Sequence, residues 1–192
     1  NGPTTNAVRQ AISNGVFVIS AAGNDGGSDD DGRVSTPSNV VEAISVGAFD
    51  DTGEIWEGSS LGEPLDGDGT NREHPHMKPE ISAPGVGIIS TAYGGEYYSS
   101  TGTSDATVFV AGILALILEA EPHIMNDTDV DCITEVKLAL KESAIPINPD
   151  VEHDPRSGYG AISGTGWLDE IRNSGACPVS YTHLRAHETS RY

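Results

Sequence analysis

Lysine is nearly absent from this sequence. Only Lys78, Lys137 and Lys141 stand among its ten basic residues, against 29 Asp and Glu, leaving a formal net charge of −19 over 192 residues. A chain so short of cations cannot neutralise a row of phosphates, which excludes nucleic-acid binding through the backbone. Aromatic residues make up 6% and apolar residues 36%, low for a globular domain but too high for a disordered tail. No run of 18 apolar residues occurs. The longest, residues 108–118, is interrupted by Gly112 and ends at Glu119, so no membrane span is expected. Cysteine is limited to Cys132 and Cys177, with neither metal spacing nor the density of a disulfide scaffold. One bridge and two separate thiols both fit that pair.

The surplus of carboxylates repels itself at ordinary ionic strength and becomes tolerable when salt shortens the Debye length to a few ångströms. Many carboxylates, few lysines and modest apolar content form a halophilic composition; an ordinary acidic secreted protein is the alternative.

Both ends of the chain stand out. Thr4 or Thr5 can cap a first helix with Ala7, Val8, Ala11 and Ile12 on its apolar face, and Asn14-Gly15 ends it. Residues 16–22 then form a continuous apolar run that reads as a buried parallel strand. A helix leading straight into such a strand is half of a βαβ unit, so a preceding strand, and with it the N-terminal part of the domain, is expected to be missing. Residues 178–192 have no apolar period. They back-translate without a break into an adapter of transposase-based sequencing libraries and are read as a translated artefact, leaving residues 1–177 as the natural segment.

Within that segment, residues 40–47 read as a second strand, 87–91 as a third, and 93–99 carry a turn at Gly94-Gly95. The stretch from Thr103 to Leu118 is apolar nearly all round and reads as a buried helix. Thr128 or Asp129 can cap another helix, with Val130, Ile133, Val136 and Leu140 on one face. Gly158-Tyr159-Gly160 precedes a last short strand, and a final helix lies near residues 167–172. Alternating strands and helices argue an α/β fold with a parallel sheet. Residues 59–78 read as an exposed insertion. Its Asp66-Gly67-Asp68-Gly69-Thr70-Asn71 resembles a calcium loop but has Met77 where an EF-hand needs Glu.

Two motifs carry chemistry. Ala21-Ala22-Gly23-Asn24-Asp25-Gly26 lies at the C-terminal end of a strand, where open α/β sheets bind ligands. Gly102-Thr103-Ser104-Asp105-Ala106 opens the apolar helix, which places a serine in the positive field of a helix N-terminus, among backbone N–H donors. Singly, Ser104 is an ordinary N-cap and Asn24 an ordinary Asx turn.

Together, and in this order, these motifs resemble the subtilisin-like serine proteases. The resemblance includes Lys78-Pro79-Glu80-Ile81-Ser82-Ala83-Pro84-Gly85, Val110-Ala111-Gly112, Ser59-Ser60-Leu61-Gly62 and Gly158-Tyr159-Gly160, and covers residues 1–177. It implies the C-terminal part of a three-layer α/β catalytic domain with a mostly parallel sheet, of haloarchaeal type by composition. It makes Ser104 the nucleophile of a serine endopeptidase and Asn24 the oxyanion asparagine. Ala21, Ala22 and Gly23 become one wall of the primary specificity pocket. Asp50 becomes a carboxylate of a weak cation site, for which a turn-closing acid is the plainer reading.

The catalytic Asp and His of this family precede the serine, so the missing part of the domain is expected to supply them. The histidines of the natural segment, His74, His76, His123 and His153, read as surface residues, and His74-Pro75-His76 has no third metal ligand. Catalysis needs no cofactor, while a structural calcium or sodium ion is allowed. Polypeptides are the expected substrates, and the family places the protein outside the cell. The serine motif departs from the common pattern at Asp105, Val108 and Phe109, where the family has Met, Pro and His. A charge at Asp105 favours a protonated catalytic His and activity at higher pH. The alternative is a non-catalytic binding module that keeps the fold.

Overall fold

The computed structural model describes residues 2–27, 32–65, 69–126 and 130–177. The expected adapter, the Thr128 and Asp129 caps and part of the calcium-like loop lie outside them.

A parallel sheet in the order β1-β2-β3 comprises Ile19–Ala21, Ile44–Phe49 and Ile81–Pro84. Ile19 faces Ile44 across one pair, and Val46 faces Ile81 across the next. The residues 16–22 run was expected to be wholly buried. It contributes only three paired residues, all half-buried, and Val16 is exposed, because β1 is an edge strand of the described sheet. β3 was not legible as a strand. It is four residues long and closed by Pro84, too short for a periodic signal. Ile88–Thr91 (β4) and Tyr97–Ser100 (β5) form a separate antiparallel hairpin around Gly94 and Gly95, both at positive φ.

Helix α1, Pro3–Ile12, starts one residue before the expected threonine caps. Gly2 is its N-cap, and Pro3 occupies the first turn, where its missing N–H costs nothing. Of the expected apolar face only Ile12 is buried. Helices α2 (Thr103–Ala120), α3 (Val130–Glu142) and α4 (Gly164–Ser174) follow. Ser163 caps α4 by accepting from Gly166 N–H, and Gly175 ends it in the left-handed region. The short strand expected after Gly160 is reduced to isolated bridges of Ala161 with Ser82 and Ile145.

The two faces of the sheet differ in chemistry. Ile44, Val46, Ala48, Ile81 and Ala83 point to one side and meet Ala106, Val110, Leu114 and Ile117 of α2; α3 and α4 extend that core through Val136, Leu140, Trp167 and Ile171. Trp167 satisfies its indole N–H on the Val136 carbonyl at 2.9 Å. The other side carries Ser45, Gly47 and Ser82. Their hydroxyls and the adjoining backbone are paired with Ser38, Ser59 and the Ser157 carbonyl, so this buried polar layer is satisfied.

α2 corrects the expectation of a helix buried all round. Its buried residues form one stripe, whereas Val108 is 70% and Leu116 67% exposed, with Phe109 at 41%. By length and composition α2 could cross a membrane, yet its buried stripe contacts all three strands of the sheet.

Candidate active site

The site forms where the end of β1 meets the start of α2. The chain leaves β1 through buried Ala22 and reaches Gly23, whose φ is +120°. A Cβ there would lie 2.6 Å from Ser60 Oγ, so steric exclusion adds to the backbone requirement for glycine. Gly23 is held on both sides: its carbonyl accepts from Ser60 N–H at 2.9 Å, and its own N–H donates to Thr103 Oγ1 at 3.1 Å.

Asn24 is fixed by the same threonine. Its Oδ1 accepts from Thr103 N–H at 3.0 Å and from the Thr103 hydroxyl at 2.9 Å. The hydroxyl thus passes one hydrogen bond on while receiving another, a connected set that orients the amide. With Oδ1 engaged, Nδ2 is left to donate, and it has no hydrogen-bond partner among the described residues. A Cβ on Gly102 would lie 3.2 Å from that Nδ2 and 3.6 Å from Asp105 Oδ2; the glycine keeps this space open. Gly102 is itself seated by donating to the Gly85 carbonyl at 2.8 Å. The Ala83-Pro84-Gly85 motif therefore buttresses the turn that presents the serine.

Ser104 is exposed and is the second residue of α2. Its N–H belongs to the first turn, where no intrahelical acceptor exists. Two donors, the Ser104 N–H and Asn24 Nδ2, thus remain available beside the serine, an arrangement suited to a developing oxyanion. Asp105 accepts from Ser100 Oγ at 2.9 Å, tying the first turn of α2 to β5.

Ala21, Ala22 and Gly23 lead directly into Asn24. Asp50 sits elsewhere, at the end of β2. Its Oδ1 accepts from Thr52 N–H, the Thr52 hydroxyl and Glu54 N–H, and these bonds, the hydroxyl foremost, hold its carboxyl below the usual range. That is the turn-closing role. Among the described residues no group of three or more His, Cys, Asp or Glu could hold a metal ion.

The histidines are not uniformly surface residues as expected. His74 is exposed and pairs with the Tyr159 hydroxyl, but His76 and His153 are half-buried and bonded to Lys137 and the Pro79 carbonyl. His123 is half-buried beside the Ala176 carbonyl. Their bonds lie away from Ser104, so none is its base here. The residue that sequence reasoning passed over is Thr103. It was quoted in the serine motif without a role, and only its position at a helix start hinted at one.

A family model described as the subtilase family, Peptidase_S8, matches residues 1–166. Subtilisin E of Bacillus subtilis is 39% identical over 119 residues, covering 62% of this chain and 28% of that protein. Serine protease AprX of the same species is 34% identical over 153 residues, or 72% of this chain and 32% of the relative. Among solved structures, the patellamide maturation protease PatA matches with a TM-score of 0.68 at 28% identity, covering 90% of this chain and 57% of that one. The prenylagaramide maturation protease PagA matches at 0.66 and 29%, covering 86% and 54%. The chain therefore spans about a third of these curated relatives and a little over half of the solved ones. On the extent of the family match and the subtilisin-like α/β architecture, the chain belongs to the subtilase family.

Proposed function

We propose that this chain supplies the nucleophile and oxyanion hole of a serine endopeptidase. The observation that carries the reading is the anchoring of Asn24 Oδ1 by Thr103, which leaves Nδ2 beside the start of α2. Ser104 Oγ attacks the carbonyl carbon of a peptide bond and gives its proton to a histidine from the rest of the domain. The carbonyl oxygen becomes an oxyanion between Asn24 Nδ2 and the Ser104 N–H. Collapse of the tetrahedral species expels the amine, which takes that proton from the histidine, and leaves an ester on Ser104; water, giving a proton to the same histidine, then hydrolyses the ester and the proton returns to Ser104 Oγ. Ala21, Ala22 and Gly23 wall the pocket of the residue on the acyl side.

The histidine and aspartate come from the part of the domain outside this chain. The exposed Val108, Phe109 and Leu116, which line a groove of about 660 Å³ with Ile88 and Ile89, are where we place that part. The route needs no cofactor; a calcium or sodium ion at Asp50 would have to use Oδ2, because Oδ1 is committed to its turn. We place the protein outside the cell and in high salt. The Cys132–Cys177 disulfide suits an oxidising compartment, and the net charge of −19 suits strong screening.

The test uses full-length protein in molar salt. A serine-reactive phosphonate should label it, and Ser104→Ala should abolish labelling. Asn24→Ala should lower kcat about 10²–10³-fold with little change in KM, a magnitude carried over from the oxyanion asparagine of subtilisin. Asp105 favours the second reading, a non-catalytic binding module. Its carboxylate borders the space that the oxyanion would occupy, and like charges there oppose each other. Folded full-length protein that takes no label would establish that reading.

A further inference from the structure

Two of the chain's three lysines are among its most deeply buried side chains. Lys78, Lys137 and Glu80 are each 1% exposed. Both ammonium nitrogens reach the same carboxylate oxygen, Glu80 Oε1, at 2.6 and 2.8 Å. Both also donate to the Ala43 carbonyl, at 2.6 and 3.0 Å. Lys137 adds the Val41 carbonyl at 2.8 Å and His76 Nδ1 at 3.0 Å. Glu80 Oε2 accepts from Ser45 N–H at 2.7 Å. The participants come from three places: the segment entering β3, the middle of α3, and the backbone on either side of the start of β2.

The charges do not balance. Two amines share one carboxylate, and a second ammonium, shut off from bulk solvent, has no anion of its own among the described residues. The other titratable groups facing the cluster are Arg72, which donates to the Asn39 carbonyl at 2.7 Å, Glu42, which pairs with Arg9, and, on the Glu80 side, His153 and Tyr159. Arg72 adds to the excess of positive charge and Glu42 offsets part of it.

We propose that Lys78, Glu80 and Lys137, with His76 at their edge, form a proton-operated lock. It fastens residues 72–79 and α3 to the start of β2 at alkaline pH and slackens as the cluster takes up protons. Burial brings the Lys78 amine down to about 7 and lowers that of Lys137. Burial, followed by the Lys137 charge, brings His76 down to about 4. The sign follows from proton counting. Between about pH 7 and the ordinary lysine value of 10.5, the unfolded chain binds a proton that the folded one lacks, so stability rises with pH across that window. It is lost as pH falls through it, and His76 adds a second loss between 6.5 and about 4. β2 lies between β3 and β1, and β1 ends beside Asn24, so an open lock undermines the site by loosening its scaffold. The proposal does not rest on the peptidase reading.

Hydrogen exchange of the full-length protein, read by mass spectrometry at about pH 6 and about pH 9 and corrected for intrinsic rates, tests it. Protection of residues 72–79 should rise at least tenfold from the lower to the higher pH, since one proton contributes up to about tenfold per pH unit. Lys137→Met removes the surplus amine and should flatten that rise. Equal wild-type protection at both values overturns the proposal, as does a rise that persists in Lys137→Met. Lysine ¹³Cε resonances of the wild type need no variant. One titrating near neutral pH supports the lock, and all titrating above about pH 10 refutes it.

Discussion

Leu114 and Leu116 lie two residues apart on α2 and face opposite ways, which makes them a matched pair for testing what covers the outer face. Leu114 is 3% exposed and packs against the sheet; Leu116 is 67% exposed. Leu114→Ala should cost about 2–5 kcal/mol in any form of the protein, from lost transfer energy and the cavity left behind. For Leu116 the structure gives two different numbers. In the 192-residue chain alone the side chain loses little contact, and Leu116→Ala should fall within about 0.5 kcal/mol of wild type. In the full-length protein the remaining part of the domain should lie on this face. Removing the exposed two-thirds of a leucine from water buries on the order of 100 Å² of apolar area, about 2.5 kcal/mol at ~25 cal/mol/Å². Urea unfolding of wild type and both variants, in each form, measures these quantities. A Leu116→Ala cost below about 0.5 kcal/mol in the full-length protein would show that this face stays open to solvent. The further part of the domain proposed above would then have to dock elsewhere.

Three further outcomes are expected. Thr103→Val removes the hydroxyl that orients Asn24 and should lower kcat of the full-length enzyme about tenfold, the equivalent of ~1.4 kcal/mol, at nearly constant KM. Thr103→Ser should restore it, and an unchanged Thr103→Val would remove Thr103 from this role. Thermal unfolding of the full-length protein should shift steeply upward from low to molar NaCl as self-repulsion is screened, and a flat response would end the halophilic reading. Reducing the disulfide that closes 45 residues between α3 and Cys177 should cost about 4 kcal/mol on the chain-entropy account, measured as the drop in urea stability with and without reductant.

The parts of the molecule legible in its sequence are those governed by local rules. Of the α3 face read from spacing, Ile133, Val136 and Leu140 are buried, while Val130 at its first residue is exposed. The Gly94-Gly95 turn, and the motifs ending β1 and opening α2, were each visible in a few adjacent residues. What was illegible depended on partners distant in the chain. α2 is apolar on all sides, so its composition could not say which stripe meets the sheet. β3 is recognisable as a strand only once Val46 pairs with Ile81. Nothing local to Lys78 and Lys137 shows that Glu80 and the Ala43 carbonyl hold both amines. Thr103 gained its role from Asn24, 79 residues away. The N-terminal run was overread for a related reason: apolarity marks burial but cannot tell a central strand from an edge.

Asp105 also changes the redox chemistry of the site. The family's usual residue after the nucleophile is a methionine, whose thioether peroxide converts to a bulkier, polar sulfoxide. A carboxylate has no such reaction. The two sulfurs that remain as thioethers in this chain are Met77 and Met125. Met125 is 59% exposed in the short turn that follows α2, at the opposite end of that helix from Ser104. Oxidants that reach the surface therefore meet a sulfur remote from Ser104, and the residue adjoining that serine is inert to them.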